Sequence, residues 1–357
     1  MIDPWLEAFP RTAAPIIDEI DSVLGYSLTR IIREGPNSLL SATPHAQPAI
    51  MATSVLILRI LEVEFCFDVA ARIDFTLGHS LGEFAALVAG GYLAFEDSLH
   101  LVQRRAEVMA AATAAARSEY GGEYGMVAIV TEPEYLPQLI DAVENFVAYP
   151  SIDKADSGAD SDVPPIEQVL IANVNSKNQI VLSGNMAKIK TLVAHVRQYL
   201  GHDPRAVRLN SDSPFHSPLT MRSLLAGRSR APGREAHGIV TFPGKVQCIS
   251  NVSARPFGSK AELEDLLARS CLETVRWWDS IRYVDQHEKV RRWIGIGPGK
   301  VGRNLVGKEV GMRGTDAVKG GGVWAITDPS DIHGMLRGLE ETDPLLEEEE
   351  RIIGDEP

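Results

Sequence analysis

Residues 73–89 read IDFTLGHSLGEFAALVA, and this stretch decides the fold. Ile73 to Leu77 is short and alternates apolar with polar, the pattern of a strand. Glu83 to Ala89 is small and helix-forming. Between them lies Gly78-His79-Ser80-Leu81-Gly82, a G-x-S-x-G turn. A serine on so sharp a strand-to-helix turn is forced into a strained backbone conformation, with its Oγ pushed clear of the sheet. The glycines two residues before and two after predict positions with no room for a side chain. The following helix aims free N–H groups and the positive end of its dipole at the same place. The Leu81 N–H is then placed to hold an oxyanion. A glycine turn with a serine helix cap fits the same residues.

Working outward, helical spacing recurs at Ala14 to Leu24 and from Phe95 to about Ala116. Gln47-Pro48 opens a strongly apolar helix, with Pro48 near the first turn, where its missing N–H costs nothing. The apolar run from Ile50 to Phe67 is interrupted by Arg59, Glu62 and Glu64, so it reads as a buried helix rather than a membrane span. From Gly125 the texture changes. Met126 to Val130 is a strand and Glu134 to Phe146 a helix. Val169 to Asn173 and Gln179 to Ser183 are strands around a hairpin at 175–178. Met186 to Leu200 is a helix and Ala206 to Leu209 a strand. The order β-α-β-β-α-β is the ferredoxin-like pattern. A small ferredoxin-like domain is therefore expected at 125–209, with a polar insert at about 151–165. It interrupts a larger α/β domain made of residues 1–124 and 210–339. The larger domain resumes with strands at 246–251 and 290–296, the second closed by Gly297-Pro298-Gly299-Lys300. Residues 340–357 are expected to form a disordered acidic tail.

The chain has 357 residues and a formal charge of −13. Residues 340–357 contribute −8 and residues 151–167 contribute −4, so the body is near neutral. No Lys/Arg stripe with interleaved aromatics occurs, which argues against nucleic-acid binding. Cys66, Cys248 and Cys271 are widely spaced, with no C-x-x-C, so neither a zinc site nor a disulfide framework is indicated. No metal or cofactor is expected.

Ser80 needs a base. Of nine histidines, His216 stands out in Ser213-Pro214-Phe215-His216-Ser217-Pro218, a proline-bracketed loop straight after the small domain. Position is its only support, and a loop histidine bonded to main chain fits as well. Arg105 lies beside the inward face of its helix, where a guanidinium could grip a substrate carboxylate bidentately; a solvated helix arginine is the alternative.

GHSLGEFAALVAGGYLAFEDSLHLVQRRAEVM (78–109) resembles the malonyl-CoA:acyl-carrier-protein transacylases, acyltransferases of fatty-acid and polyketide synthesis. The resemblance continues through QPAI (47–50), NVNSKNQIVLSG (173–184), SPFHSPLTM (213–221), ISNVSARP (249–256) and IGPGK (296–300). It implies an α/β-hydrolase-like large domain with a ferredoxin-like insert. It implies Ser80 as the acylated nucleophile, His216 as its base, Leu81 as an oxyanion donor and Arg105 as the ligand of the malonyl carboxylate. Asn173, Asn175, Gln179, Met109 and His79 fall with the cleft-facing residues, and Phe215 narrows the pocket as in malonyl-selective members. Arg276 stands where bacterial relatives carry a glutamine. Its side chain cannot accept the imidazole N–H, so its main-chain carbonyl is expected to do so.

The partners implied are malonyl-CoA and an acyl carrier protein, without nucleic acid or membrane, for a monomer that is mitochondrial or otherwise cytoplasmic. The family also begins with a strand and a G-Q-G-x-Q loop that this sequence lacks, so an impaired carrier-binding remnant is one alternative. A serine thioesterase or lipase-type hydrolase is another, weakened by the absence of an HGGG-type loop.

Overall fold

The structure is a computed structural model that describes residues 1–148, 169–199, 201, 203–216 and 239–343. The turn at 78–82 joins strand β1 (Phe75–Leu77) to a helix at Gly82–Ala89, as expected. Strand β2 (Tyr124–Val130), β3 (Leu170–Ser176), β4 (Gln179–Asn185) and β5 (Arg205–Arg208) form one antiparallel sheet in the order β3-β4-β2-β5. Helices at Leu136–Ala148 and Met186–Tyr199 complete the β-α-β-β-α-β unit. The sheet order is the one a ferredoxin-like unit requires, and its strands run from Tyr124 to Arg208.

Period-two alternation explains how this sheet is covered. Val127, Ile129, Ile180 and Leu182 face the two helices through Leu139, Val143, Ile189 and Leu192. Met126, Ala128, Ala172 and Val181 face the other way, where Leu209 and Phe215 pack on them. The residue preceding His216 is thus part of the small unit's second core.

The larger unit is α/β. Its described strands fall into two sheets rather than one. Strand β6 (Gln247–Ile249) pairs in parallel with β1, while β7 (Arg292–Ile296), β9 (Gly321–Ile326) and β8 (Gly314–Asp316) form a second sheet in the order β7-β9-β8. The main core is helical on one side. Helices at Pro10–Leu24, Thr43–Glu64 and Phe95–Tyr120 pack on one another around Leu56, Ile60, Leu99 and Val102. The Thr43–Glu64 helix is long and apolar enough to cross a bilayer, yet 67 % of its most apolar window is buried within the protein.

Two boundaries differ from the sequence reading. The Thr43–Glu64 helix begins one turn before Gln47, with Pro44 in its first turn, so Pro48 lies inside it. Its missing N–H leaves the carbonyl of Pro44, one turn earlier, without its helical donor. The second is the tail: helix Asp331–Glu341 runs past residue 340. The expected insert at 151–165 and residues 344–357 of the expected tail lie outside the described residues.

Three tertiary ties bring the site together. The edge of β3 is stitched to the larger unit by Val174 N–H to Val275 O at 3.0 Å and Val275 N–H to Ala172 O at 2.8 Å. The Asp212 carboxylate accepts from the Thr43 N–H at 3.1 Å and from the Thr43 hydroxyl, capping the long helix from a distant segment. Arg117, in the last turn of Phe95–Tyr120, donates to the Asp212 carbonyl at 2.9 Å. The segment carrying His216 is therefore pinned at its root to two helices of the larger unit.

Candidate active site

Ser80 has φ +52°, a left-handed conformation that costs a non-glycine residue about 1–3 kcal/mol. The strain expected of the turn is present, though only one of its two glycines is needed for space. A Cβ on Gly78 would sit 1.9 Å from the Gly82 carbonyl oxygen, whereas a Cβ on Gly82 would meet nothing within 4 Å. The expectation that both positions exclude side chains is thus corrected: the chain crosses itself at Gly78 and leaves Gly82 open.

The turn is closed by helical N–H groups. Gly82 donates to His79 O at 2.9 Å and Glu83 to Ser80 O at 3.0 Å. Among the described residues, no hydrogen bond occupies the Leu81 N–H, which remains available beside the Ser80 hydroxyl. The Ser80 N–H is donated to Asn251 Oδ1 at 2.8 Å, and Asn251 Nδ2 donates to Gly78 O at 2.7 Å. One amide side chain thus spans the turn.

The Ser80 Oγ and His216 Nε2 lie 2.7 Å apart, joining residues 136 positions apart in sequence. His216 also has positive φ, +53°, and its side chain is buried. Burial, then the nearby positive charge of Arg105 and the ring of His79, push its pKa down to about 3. The imidazole is neutral at physiological pH, and a neutral ring that carries its proton on Nδ1 accepts at Nε2. Main-chain groups of Ser270 and Glu273 lie close enough to favour its protonated form, but Nδ1 closes no hydrogen bond of normal geometry among the described residues.

The role expected of Arg276 is not met. Its carbonyl accepts from the N–H and the hydroxyl of Ser280, at 3.0 and 2.9 Å, because Arg276 caps the helix Trp277–Arg282. Its guanidinium pairs with Asp279. A helix start consumes the carbonyl that sequence position alone left free.

Arg105 is buried, while its neighbour Arg104 is exposed and paired with Glu107. The helix turns one arginine in and the other out. The Arg105 Nη1 donates to Gln47 Oε1 at 2.5 Å; its Nε has no partner, and no carboxylate forms an ion pair with it among the described residues. Gln47 also donates to Met109 Sδ at 3.4 Å, which places the buried Met109 behind the guanidinium. A buried cation without an acid is costly, and an anionic ligand would offset that cost.

The small unit's polar residues meet His79 rather than the Ser80–His216 pair. His79 Nε2 bonds Asn175 Oδ1 at 2.8 Å, and Asn175 Nδ2 donates to Gln179 Oε1 at 3.3 Å. The His79 ring stands edge-on to Trp277, centroids 5.2 Å apart. Asn173 is buried at the β3 bridge to Val275. Phe215 packs on the small sheet beside His216. Among the described residues, no group of three or more His, Cys, Asp or Glu side chains could hold a metal ion.

Sequence reasoning missed three residues. Gln47 and Asn251 lay in recognised motifs with no role assigned. Glu83, wholly buried in the otherwise apolar helix GEFAALVA, was the detectable one, since a carboxylate on an apolar face needs a reason.

Comparison with known proteins agrees with this geometry. Residues 8–143 match the family model described as the acyl transferase domain. The chain is 33 % identical over 330 residues to the malonyl CoA-acyl carrier protein transacylase of Bacillus subtilis, covering 92 % of this chain and 90 % of that protein. Among solved structures, that of MCAT from Streptococcus pneumoniae superposes with a TM-score of 0.73 at 27 % identity, covering 94 % of both chains. The acyl-carrier-protein-S-malonyltransferase of Bartonella henselae superposes at 0.72 with 28 % identity, over 94 % of this chain and 93 % of that one. With a strained serine, a neutral histidine at 2.7 Å and a buried arginine that no carboxylate pairs among the described residues, the chain belongs to the malonyl-CoA–acyl carrier protein transacylase family.

Proposed function

We propose that this protein transfers the malonyl group of malonyl-CoA to the phosphopantetheine thiol of an acyl carrier protein, through a malonyl ester on Ser80. The observation that carries the reading is the 2.7 Å contact between Ser80 Oγ and a histidine whose burial keeps it neutral. His216 Nε2 takes the Ser80 proton as Oγ attacks the thioester carbonyl. The Leu81 N–H, next to the helix start at Gly82, donates to the oxygen that becomes negative. The carbon–sulfur bond breaks, an ester forms, and the imidazolium returns its proton to the departing CoA sulfur. In the second half the carrier thiol gives its proton to His216, attacks the ester and releases Ser80, which recovers the proton. One site thus serves two bulky thiols in turn.

Arg105 holds the malonyl carboxylate through both halves. Its burial and its lack of an acidic partner support this role, because the substrate supplies the missing anion. Asn175, Gln179 and His79 form a polar string on the small-unit side of the cleft, Phe215 stands beside His216, and Met109 lies against Gln47 behind the Arg105 guanidinium. All of these residues come from one chain, which suits a monomer.

Intact-protein mass spectrometry after mixing with malonyl-CoA tests the reading. A malonyl adduct is expected on Ser80, discharged on adding a carrier protein bearing phosphopantetheine. No adduct on Ser80 overturns it. An adduct that decays equally fast with and without the acceptor thiol assigns the protein to the hydrolases instead.

A further inference from the structure

Glu83 lies directly behind the Ser80 turn and takes no part in the chemistry described above. We propose that Glu83 is a positioning residue for acyl transfer: by gripping the main chain of Asn251 it fixes the amide that spans the turn, and so aims the Ser80 hydroxyl at His216. The inference rests on the reading of Ser80 as the nucleophile.

A sharp turn from strand to helix leaves two main-chain groups with no sheet or helix partner, here the Gly78 carbonyl and the Ser80 N–H. Both are taken by the Asn251 side chain, at 2.7 and 2.8 Å. A side-chain brace is only as stiff as the backbone that bears it. Asn251 lies two residues beyond the end of β6, where the sheet no longer holds it. Its main chain is fixed instead on both sides: its N–H donates to Glu83 Oε1 at 2.8 Å, and its carbonyl accepts from the Arg276 N–H at 2.9 Å. Glu83 is itself locked into the helix through its N–H bond to Ser80 O at 3.0 Å. The path therefore closes on itself through Ser80, Asn251 and Glu83. A left-handed serine persists only where its surroundings over-determine it, and this loop does so.

The same carboxyl reaches the other half of the pair. The Ser270 hydroxyl faces Glu83, and the Ser270 main chain faces His216. Glu83 thus touches what holds Ser80 and lies beside a residue that also neighbours His216. Its Oε2 has no hydrogen-bond partner of normal geometry among the described residues, so the site carries the cost of a polar group that packing alone does not require.

The charged and titratable groups around Glu83 are few. From Phe95–Tyr120 comes the Arg105 guanidinium, and from β6 the Cys248 thiol; Asn251 is its neutral bonding partner and Ser270 a neutral neighbour. Burial pushes the Glu83 carboxyl up to about 7. The protonated acid keeps the acceptor oxygen that Asn251 needs and leaves the Arg105 charge to the substrate. Above that value the ionised carboxylate competes for the same guanidinium.

The test is the single-turnover rate of malonyl-Ser80 formation in the full chain, read by mass spectrometry, for the parent, Glu83→Ala and Glu83→Gln across about pH 5 to 9, a span that covers the ordinary and shifted carboxyl values. Glu83→Ala is expected to slow acylation about 10²-fold, the scale of a roughly 1 Å misplacement, while the KM for malonyl-CoA changes less than about 3-fold. Glu83→Gln, which keeps the acceptor oxygen and cannot ionise, restores most of the rate. The parent loses rate as pH rises through about 7, and Glu83→Gln does not.

Glu83→Ala acylating as fast as the parent overturns the inference, as does Glu83→Gln acylating as slowly as Glu83→Ala or keeping the inflection near neutrality. Should Glu83→Ala not fold, the profile of Glu83→Gln decides. An adduct on Ser80 at equal rates in all three removes only the role of Glu83. No adduct in the parent removes the Ser80 reading, and this inference with it.

Discussion

The Ser80 turn and the His216 segment solve the same problem by different means. Each presents a reactive side chain from a non-glycine residue in left-handed backbone, φ +52° and +53°. At Ser80 the strain is held locally. Gly78, the helix start at Gly82 and the Asn251 amide enclose it within a few ångströms. At His216 it is held from afar. Asp212 is tied to Thr43 and Arg117, Ser211 donates to the Ser213 carbonyl at 2.6 Å, and Phe215 packs on the small sheet. A local device can be written as a five-residue motif. A distributed one cannot, because its parts belong to four elements that meet only in the fold.

The two regions also answer pH in opposite directions. Glu83, behind the serine, has its pKa raised by burial from the ordinary 4.5 to about 7. Its contribution to stability is full below the unfolded value and is lost as pH rises through about 7. His216 has its pKa lowered from 6.5 to about 3. Its contribution is full above the unfolded value and is lost as pH falls toward about 3. Between them, at mildly acidic pH, neither of these two contributions is wholly lost.

The largest expected effect removes one member of the reacting pair. Ser80→Ala or His216→Ala should each lower malonyl transfer by about 10⁴-fold or more, and the double variant by no more than either alone, because the two act as a unit. Additive losses in a steady-state assay would break the pairing. Next comes Arg105→Ala, expected to lower malonyl transfer about 10²-fold while sparing acetyl transfer, so that the preference between the two thioesters collapses. An unchanged preference would take Arg105 out of the site.

Smaller effects sharpen the contrast between local and distributed support. Chemical denaturation of Glu83→Gln should show a gain over the parent that grows from nothing near pH 4 to at most about 3 kcal/mol near pH 8. A gain independent of pH would place the titrating group elsewhere. Gly78→Ala should cost about 3 kcal/mol, since the new Cβ meets main chain that cannot move aside. Gly82→Ala should instead stabilise by about 0.5 kcal/mol, because space is open there and alanine favours a helix start. Equal costs at both glycines would show that the turn is tight on both sides.

Much of this was legible in the residues. The ferredoxin-like order could be read from strand and helix periods, which depend on local chain geometry. Ser80 was legible because a strand, a glycine-bounded serine and a helix are contiguous. His216 was harder. Prolines marked a rigid loop, and only the fold shows that the ring reaches Ser80. Arg276 was misread because a position in sequence does not reveal that its carbonyl is spent on a helix cap. Gln47 lay in a recognised motif but had no role to read, because glutamine on a helix is ordinary until a buried arginine is found against it.

By itself, then, the amino-acid order determined the elements, the strained serine turn and the split into two units, since each follows from interactions between residues close along the chain. The tertiary structure alone decided that Arg105 faces inward while Arg104 does not, that Asn251 and Glu83 lock the turn, and that a histidine 136 residues away stays neutral beside the serine. Burial and distance govern those outcomes, and both are properties of the packed chain as a whole.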